Sequence, residues 1–353
     1  MNMRIRNAIL FLGCMFFLTG CAERVSEDEI MTDTEQSRVN ETEQAEEDGD
    51  RILLKLATTK LEDSDAYQAL EMFKETVETR TGGTVEIILY PNEQLGDQTV
   101  IAQALELGTV EMGFIPIEST EEIFPQIAVL PMLFMIDDEE QVLRILNGEF
   151  GTRILSQLRE ETGIVCIGHY LEGMRQIWTV SEINSLGQLQ GQTIWVPQLP
   201  LYTTVFQALG ASVTFMPFSQ VYDGLRTRVI TGVEADPETF LDYELYEVCK
   251  YCLRTNHSVT IYSFMIQDQI LEKMTEEQQE VICNAAEEAS QWLSAQYSES
   301  LEGVYKELEE KGVTISAPED KNDPDMVARI EETLMEYLSD YITWEELEEL
   351  REY

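Results

Sequence analysis

The chain alternates between two hydrophobic periods. Ile52 to Ala57 is an apolar run that predicts a strand, and Ser64 or Asp65 then opens a helix whose Tyr67, Leu70, Phe73 and Val77 share one face. Val85, Ile87 and Leu89 alternate with Thr84 and Glu86 until Pro91-Asn92 ends the strand. Asp97 caps a helix through Val100, Ile101, Ala104 and Leu105, stopped at Gly108, and Val110 to Ile115 predicts the next strand. Helical periodicity returns between Glu139 and Leu158, followed by a strand from Gly163 to His169. From Gly173 to Phe240 the pattern is strand, helix, short strand and helix, with Arg175 at a strand end.

The capping box Thr275-Glu-Glu-Gln278 opens a long helix toward Lys311, with Gly312 as its terminator, and Thr343-Trp-Glu-Glu346 opens the last helix. Such alternation of strands and helices predicts an α/β fold of open, parallel-rich sheets with helices on both faces. A length of 353 residues allows roughly two domains, and 44% apolar content is enough to fill two cores.

The two ends of the pattern differ from its middle. MNMRIRN is basic, Ala8 to Leu18 is apolar, and Leu18-Thr19-Gly20-Cys21 closes the run with small residues. This reads as a secretory leader, too short for a spanning helix. Ala22 to Asp50 is rich in Glu, Asp, Thr, Ser and Gln, carries almost no large apolar side chains, and reads as a solvated tether.

With 23 Lys and Arg against 67 Asp and Glu the net charge is −44, which repels phosphate backbones and excludes nucleic acid as a partner. Cys166, Cys249, Cys252 and Cys283 remain beyond the leader and Cys21. Cys249-Lys-Tyr-Cys252 has redox-motif spacing but reads as a helix end, so its cysteines are either two small buried hydrophobes or one local disulfide. Enzymatic chemistry has no foothold: His169 and His257 are the only histidines, without metalloprotease spacing, and there is no Gly-x-Ser-x-Gly or phosphate loop. The acids Asp137-Asp138-Glu139-Glu140 suit a helix start, and His169 is either a structural histidine or a pocket-lining one. No cofactor is expected.

From Ile52 to about Pro318 the chain resembles the DctP-type solute-binding proteins of tripartite ATP-independent periplasmic (TRAP) transporters. The resemblance is carried by Pro91-Asn92-Glu93-Gln94-Leu95-Gly96-Asp97, Val129-Leu130-Pro131-Met132-Leu133-Phe134, Gly173-Met174-Arg175, Gly210-Ala211 followed by Met216-Pro217-Phe218-Ser219-Gln220-Val221-Tyr222, Tyr246-Glu247-Val248 and Thr255-Asn256-His257. Leu18 to Cys21 similarly resembles the lipobox of bacterial lipoproteins, which implies an acylated Cys21 and slow release from the membrane.

The resemblance implies a two-lobed periplasmic-binding-protein-like fold with a hinged cleft and a long helix spanning both lobes. The expected divisions are a leader over 1–20, a tether over 21–50, lobe I over 51–172 and lobe II over 173–260. A return to lobe I with the long helix would occupy 261–300, and C-terminal helices packing on lobe II 301–353. It further implies capture of a small organic acid for delivery to small and large membrane permease subunits. A ligand sensor or surface lipoprotein without a transport role is the other reading.

In that family a carboxylate is usually gripped by an arginine in a strand ending Lys-x-Arg-Val-Pro, assisted by the Gly-x-Arg arginine. Here the strand reads Thr193-Ile194-Trp195-Val196-Pro197, so Trp195 stands in the arginine's place and offers one N–H, no charge and a large face. Arg175 is kept, either facing the ligand or held in a structural salt bridge. Trp195 either stacks on the ligand or packs in the core. The family's Gly-x-Glu-Asn reads Gly232-Val233-Glu234-Ala235, with Asp236 next. Phe218 keeps a pocket-lining aromatic, and Thr59 and Gln98 lie where first-lobe contacts come. These departures predict a less polar pocket and a ligand more apolar than a sugar acid or simple dicarboxylate.

Overall fold

The computed structural model describes residues 51–352 apart from Met132 and Asp137. The expected leader, Cys21 and the acidic stretch up to Asp50 lie outside the described residues.

Two mixed sheets form the frame. The first contains β1 (Ile52–Thr58), β2 (Val85–Tyr90), β3 (Met112–Pro116), β4 (Ile164–Met174) and β10 (Val259–Gln267), ordered β2-β1-β3-β10-β4. β1, β2 and β3 are parallel, whereas β10 runs antiparallel between β3 and β4. The second contains β5 (Gln176–Thr179), β6 (Thr193–Trp195), β7 (Ser212–Thr214), β8 (Gly232–Ala235), β9 (Tyr251–Leu253) and β11 (Thr314–Ser316), ordered β11-β9-β5-β8-β6-β7.

Helix boundaries follow local chemistry. Ser64 caps α1 (Asp65–Arg80) by accepting from the Tyr67 N–H, and Asp97 caps α2 (Gln98–Glu106) by accepting from Val100. The periodic stretch from Glu139 to Leu158 is two helices, α3 (Glu139–Asn147) and α4 (Glu149–Thr162). Gly148 adopts an extended ψ of 179° between them and breaks the ladder without interrupting the apolar spacing. α5 (Pro200–Ala208), α6 (Val221–Arg226) and α7 (Pro237–Asp242) belong to the second sheet's surroundings, and α8 (Asp268–Leu271) follows β10. A short 3-10 helix over Leu245–Glu247 ends just before Cys249, whereas Cys252 lies on β9, and both cysteines are buried, unlinked thiols.

The chain passes between the sheets side by side with itself. It leaves the first sheet at Met174 and returns at Val259, where the Arg175 N–H donates to the Ser258 carbonyl at 2.7 Å. A third crossing is α9 (Glu276–Glu310), whose 35 residues extend roughly 50 Å at 1.5 Å per residue. Both halves of its Thr275/Gln278 capping box are formed. Its first half buries Ile282, Ala285, Ala286, Ala289 and Leu293 with the first sheet's residues, and its last turns bury Val304 and Leu308 with Trp178 of the second sheet and Phe240 of α7.

α10 (Pro324–Leu338) packs on α5, while α11 (Trp344–Glu352) is tied to α3 and α4. The ties are Gln141 Nε2 to the Leu350 carbonyl at 3.0 Å and Arg153 to Glu346 at 2.7 Å. The C-terminal helices therefore touch elements on both sides of the boundary expected at residue 173.

Candidate functional site

A cavity of about 650 Å³ lies where loops of the two sheets meet. Thr59, Gln98, Arg175, Trp195, Phe218 and Asp236 all line it. Topology explains the convergence. Thr59 follows β1 and Gln98 opens α2, whereas Trp195 ends β6, Asp236 follows β8 and Arg175 sits at the crossover between β4 and β5.

Arg175 is held by the protein itself. Its Nε donates to Glu234 Oε1, its Nη2 to Glu234 Oε2 at 2.7 Å and to the Glu234 carbonyl at 3.1 Å, and its Nη1 to Thr260 Oγ1 at 2.7 Å. Arg175 is 8% exposed and Glu234 0%, so this forked pair is desolvated. Burial alone would raise the Glu234 carboxyl, but Arg175 outweighs it and holds the group below the ordinary carboxylate range. His257 Nε2 lies 3.0 Å from Glu234 Oε1, and its Nδ1 lies 2.7 Å from Thr255 Oγ1. With Glu234 ionised, the proton belongs on Nε2 and Nδ1 accepts from the threonine hydroxyl. Glu234 belongs to β8 and Thr260 to β10, so one side chain ties both sheets together where the chain crosses.

The remaining residues singled out in the sequence form two walls. Trp195 is 8% exposed, donates Nε1–H to the Met216 carbonyl at 2.9 Å and meets Phe218 edge-on at 5.0 Å. Phe218 in turn meets the Tyr243 ring at 4.6 Å and 88°. These three rings make an aromatic wall. Asp236 is buried and caps α7 by accepting from the Thr239 N–H at 2.8 Å. His169 has a buried Nδ1 without a partner, burial lowers its pKa to about 4, and it is not among the cavity's lining residues.

Four lining residues carry no sequence motif. Lys60 pairs with Glu172, and its Nζ lies 4.3 Å from the centre of the Tyr262 ring; burial lowers its pKa. Glu118 is 3% exposed, its Oε2 meets no hydrogen-bonding partner, and burial pushes its carboxyl up to about 8. Glu238 accepts from the Ser300 hydroxyl at 2.6 Å and is pushed up to about 7, chiefly by burial. In the sequence, the only hint is that Lys60, Glu118 and Glu238 each stand shortly after a strand, where ligand-facing loops begin in open α/β sheets.

These residues correct the expectation of a less polar pocket. Nine residues lining the cavity are acidic and two basic, because loops distant in sequence bring their carboxylates to a space that the substitutions at 195 and 235 do not control. An enclosed volume with a few convergent charges and an aromatic wall suits reversible capture of a small polar molecule.

Comparison with known proteins agrees. Residues 56–340 match the DctP model, bacterial extracellular solute-binding protein family 7. A solute-binding protein of Roseobacter denitrificans is 31% identical over 263 residues, covering 74% of this chain and 81% of its own. A TRAP periplasmic solute-binding protein structure from the same species, with bound L-galactonate, superposes with a TM-score of 0.75 at 27% identity, covering 85% of this chain and 98% of that one. Another from that species, with bound β-D-glucuronate, gives 0.79 at 21% identity and covers 85% and 98%. These relatives are extracytoplasmic binding proteins and not enzymes. The chain belongs to the bacterial extracellular solute-binding proteins of family 7, the solute-binding components of TRAP transporters.

Proposed function

We propose that this chain captures a small organic acid outside the cytoplasm and hands it to the small and large membrane subunits of a TRAP permease. In this reading Cys21 is acylated and fixes the protein to the membrane, and residues 22–50 give the two-lobed body reach. The observation that carries the proposal is the convergence of Arg175, Trp195, Phe218, Asp236, Thr59 and Gln98 from both sheets on one cavity of about 650 Å³, which is the size of a small-ligand site.

The relatives narrow the solute class. They include the structure with bound L-galactonate and a C4-dicarboxylate-binding protein of Rhodobacter capsulatus at 25% identity over 74% of this chain. The Trp195, Phe218 and Tyr243 rings favour an acid with one apolar face. Closure brings the loops of the first sheet, with Thr59 and Gln98, toward those of the second, with Trp195 and Asp236. The crossover at Arg175 and α9 is where such a motion would turn.

Two experiments test the proposal. Calorimetry with small carboxylic acids should give a single site per chain, and no binding of any acid would refute capture. Cells making the Cys21→Ala variant should lose radiolabelled palmitate from the protein and release it from the membrane. Unchanged labelling would refute the anchor.

A further inference from the structure

We propose that the captured solute is a zwitterion, a small carboxylic acid that also bears a protonated nitrogen, with that nitrogen seated beside Glu118 and Asp236. The inference rests on the solute-capture reading above and specifies its chemistry.

Both cations of the cavity are already matched. Arg175 gives its Nε and both Nη2 hydrogens to Glu234, and Lys60 is paired with Glu172. A guanidinium has five N–H groups, and Nη1 also serves Thr260, so one hydrogen remains for a ligand carboxylate. That is an anchor for an acid, and a weak one compared with a free forked pair.

The carboxylates are in excess. Glu118 and Asp236 are buried and Glu238 is half-buried, with no lysine or arginine of the cavity assigned to them by a hydrogen bond. Asp236 and Glu238 have partial partners in the Thr239 N–H and the Ser300 hydroxyl, but Glu118 keeps one oxygen that nothing pairs. Ionising a buried carboxyl group without compensation is costly, and a plain acid ligand would raise that cost further. A protonated nitrogen supplies the missing positive charge and up to three donors. Tyr170 and Tyr262 also line the cavity, and Lys60 over Tyr262 shows that a cation already uses one of these ring faces.

The test uses the detergent-solubilised full chain, dialysed against a bacterial metabolite extract, washed and denatured. Released molecules are identified by mass spectrometry with and without an amine-labelling reagent. Recovery of a carboxylic acid that takes the label is the expected result. Recovery only of nitrogen-free acids overturns the zwitterion and leaves solute capture intact. Recovery of nothing counts against both.

Titrations with D-glucosaminate against D-gluconate, and aspartate against malate, read the same preference directly. In any pair that binds, the amine member should bind at least tenfold tighter, and equal affinity overturns the proposal. Glu118→Gln keeps the shape of the side chain and should weaken the recovered solute at least tenfold while the ligand-free protein melts no lower. Unchanged affinity in that variant removes Glu118 from the contact.

Discussion

Arg175 and Glu234, 59 positions apart in sequence, form a forked ion pair in which neither residue is exposed by more than 8%. This pairing sits where the chain crosses between the sheets, so it serves architecture before it serves any ligand. Removing one partner strands a buried charge. We expect Arg175→Ala to lose about 3–5 kcal/mol of stability in denaturant unfolding. The double variant Arg175→Met with Glu234→Gln should lose distinctly less, because neither residue then carries a charge. Equal losses in both would show that the pair is not the source.

Gly173 precedes this crossover with a φ of +82°, and a side-chain carbon there would run into the Tyr297 hydroxyl of α9. Gly173→Ala should therefore destabilise through both strain and overlap, with the left-handed backbone alone costing about 1–2 kcal/mol. Tyr297→Phe removes the obstructing oxygen, which has no hydrogen-bond partner. That change should recover part of the loss in a denaturant titration of the double variant.

The pH dependence follows from buried groups of opposite sense. Burial raises Glu118 to about 8, and Glu121 and Glu238 to about 7, so the fold favours their neutral forms. Their stabilisation is complete below the unfolded carboxyl range and is lost as pH rises toward 8. His169, lowered to about 4, works oppositely and weakens the fold as pH falls below about 6.5, the unfolded histidine value. The melting temperature should therefore peak on the acid side of neutral and decline toward pH 8.5. Glu118→Gln should flatten that decline, and an unchanged slope would contradict the assignment.

Much of the frame was visible in the sequence because caps and periodicity are local. Ser64, Asp97, Thr275 and Thr343 all sit where their hydrogen bonds predict helix starts. The strand Val259–Gln267 escaped notice: it is buried on both faces, shows no alternation, and pairs antiparallel within an otherwise parallel run. The site was half visible. Motif positions led to Arg175, Trp195 and Phe218, but the carboxylates of Glu118, Glu172 and Glu238 are ordinary polar residues until the turn after β3, the end of β4 and the start of α7 meet. The commitment of Arg175 to Glu234 is likewise a property of the strand register, in which Gln176 faces Ala235.

The family resemblance implies an arginine that grips carboxylate at the position held by Trp195. We expect Trp195→Arg to add a guanidinium to an acid-rich cavity and to raise affinity for D-galacturonate at least tenfold over the unsubstituted protein, read by calorimetry. No gain would mean that the position does not face the solute.

Cys249 and Cys252 are buried thiols, and burial raises the pKa of each. Both should resist a thiol-modifying reagent until the chain unfolds, and reductant should leave the melting temperature unchanged. A reductant-dependent melting temperature would point to a disulfide instead.

The most direct test of solute capture is native mass spectrometry of the protein after equilibration with a bacterial metabolite extract, beside a Thr59→Trp variant that fills the cavity. Capture between the two sheets predicts one small molecule per chain in the unsubstituted protein and none in the filled variant. Equal retention by both, or none by either, would contradict it.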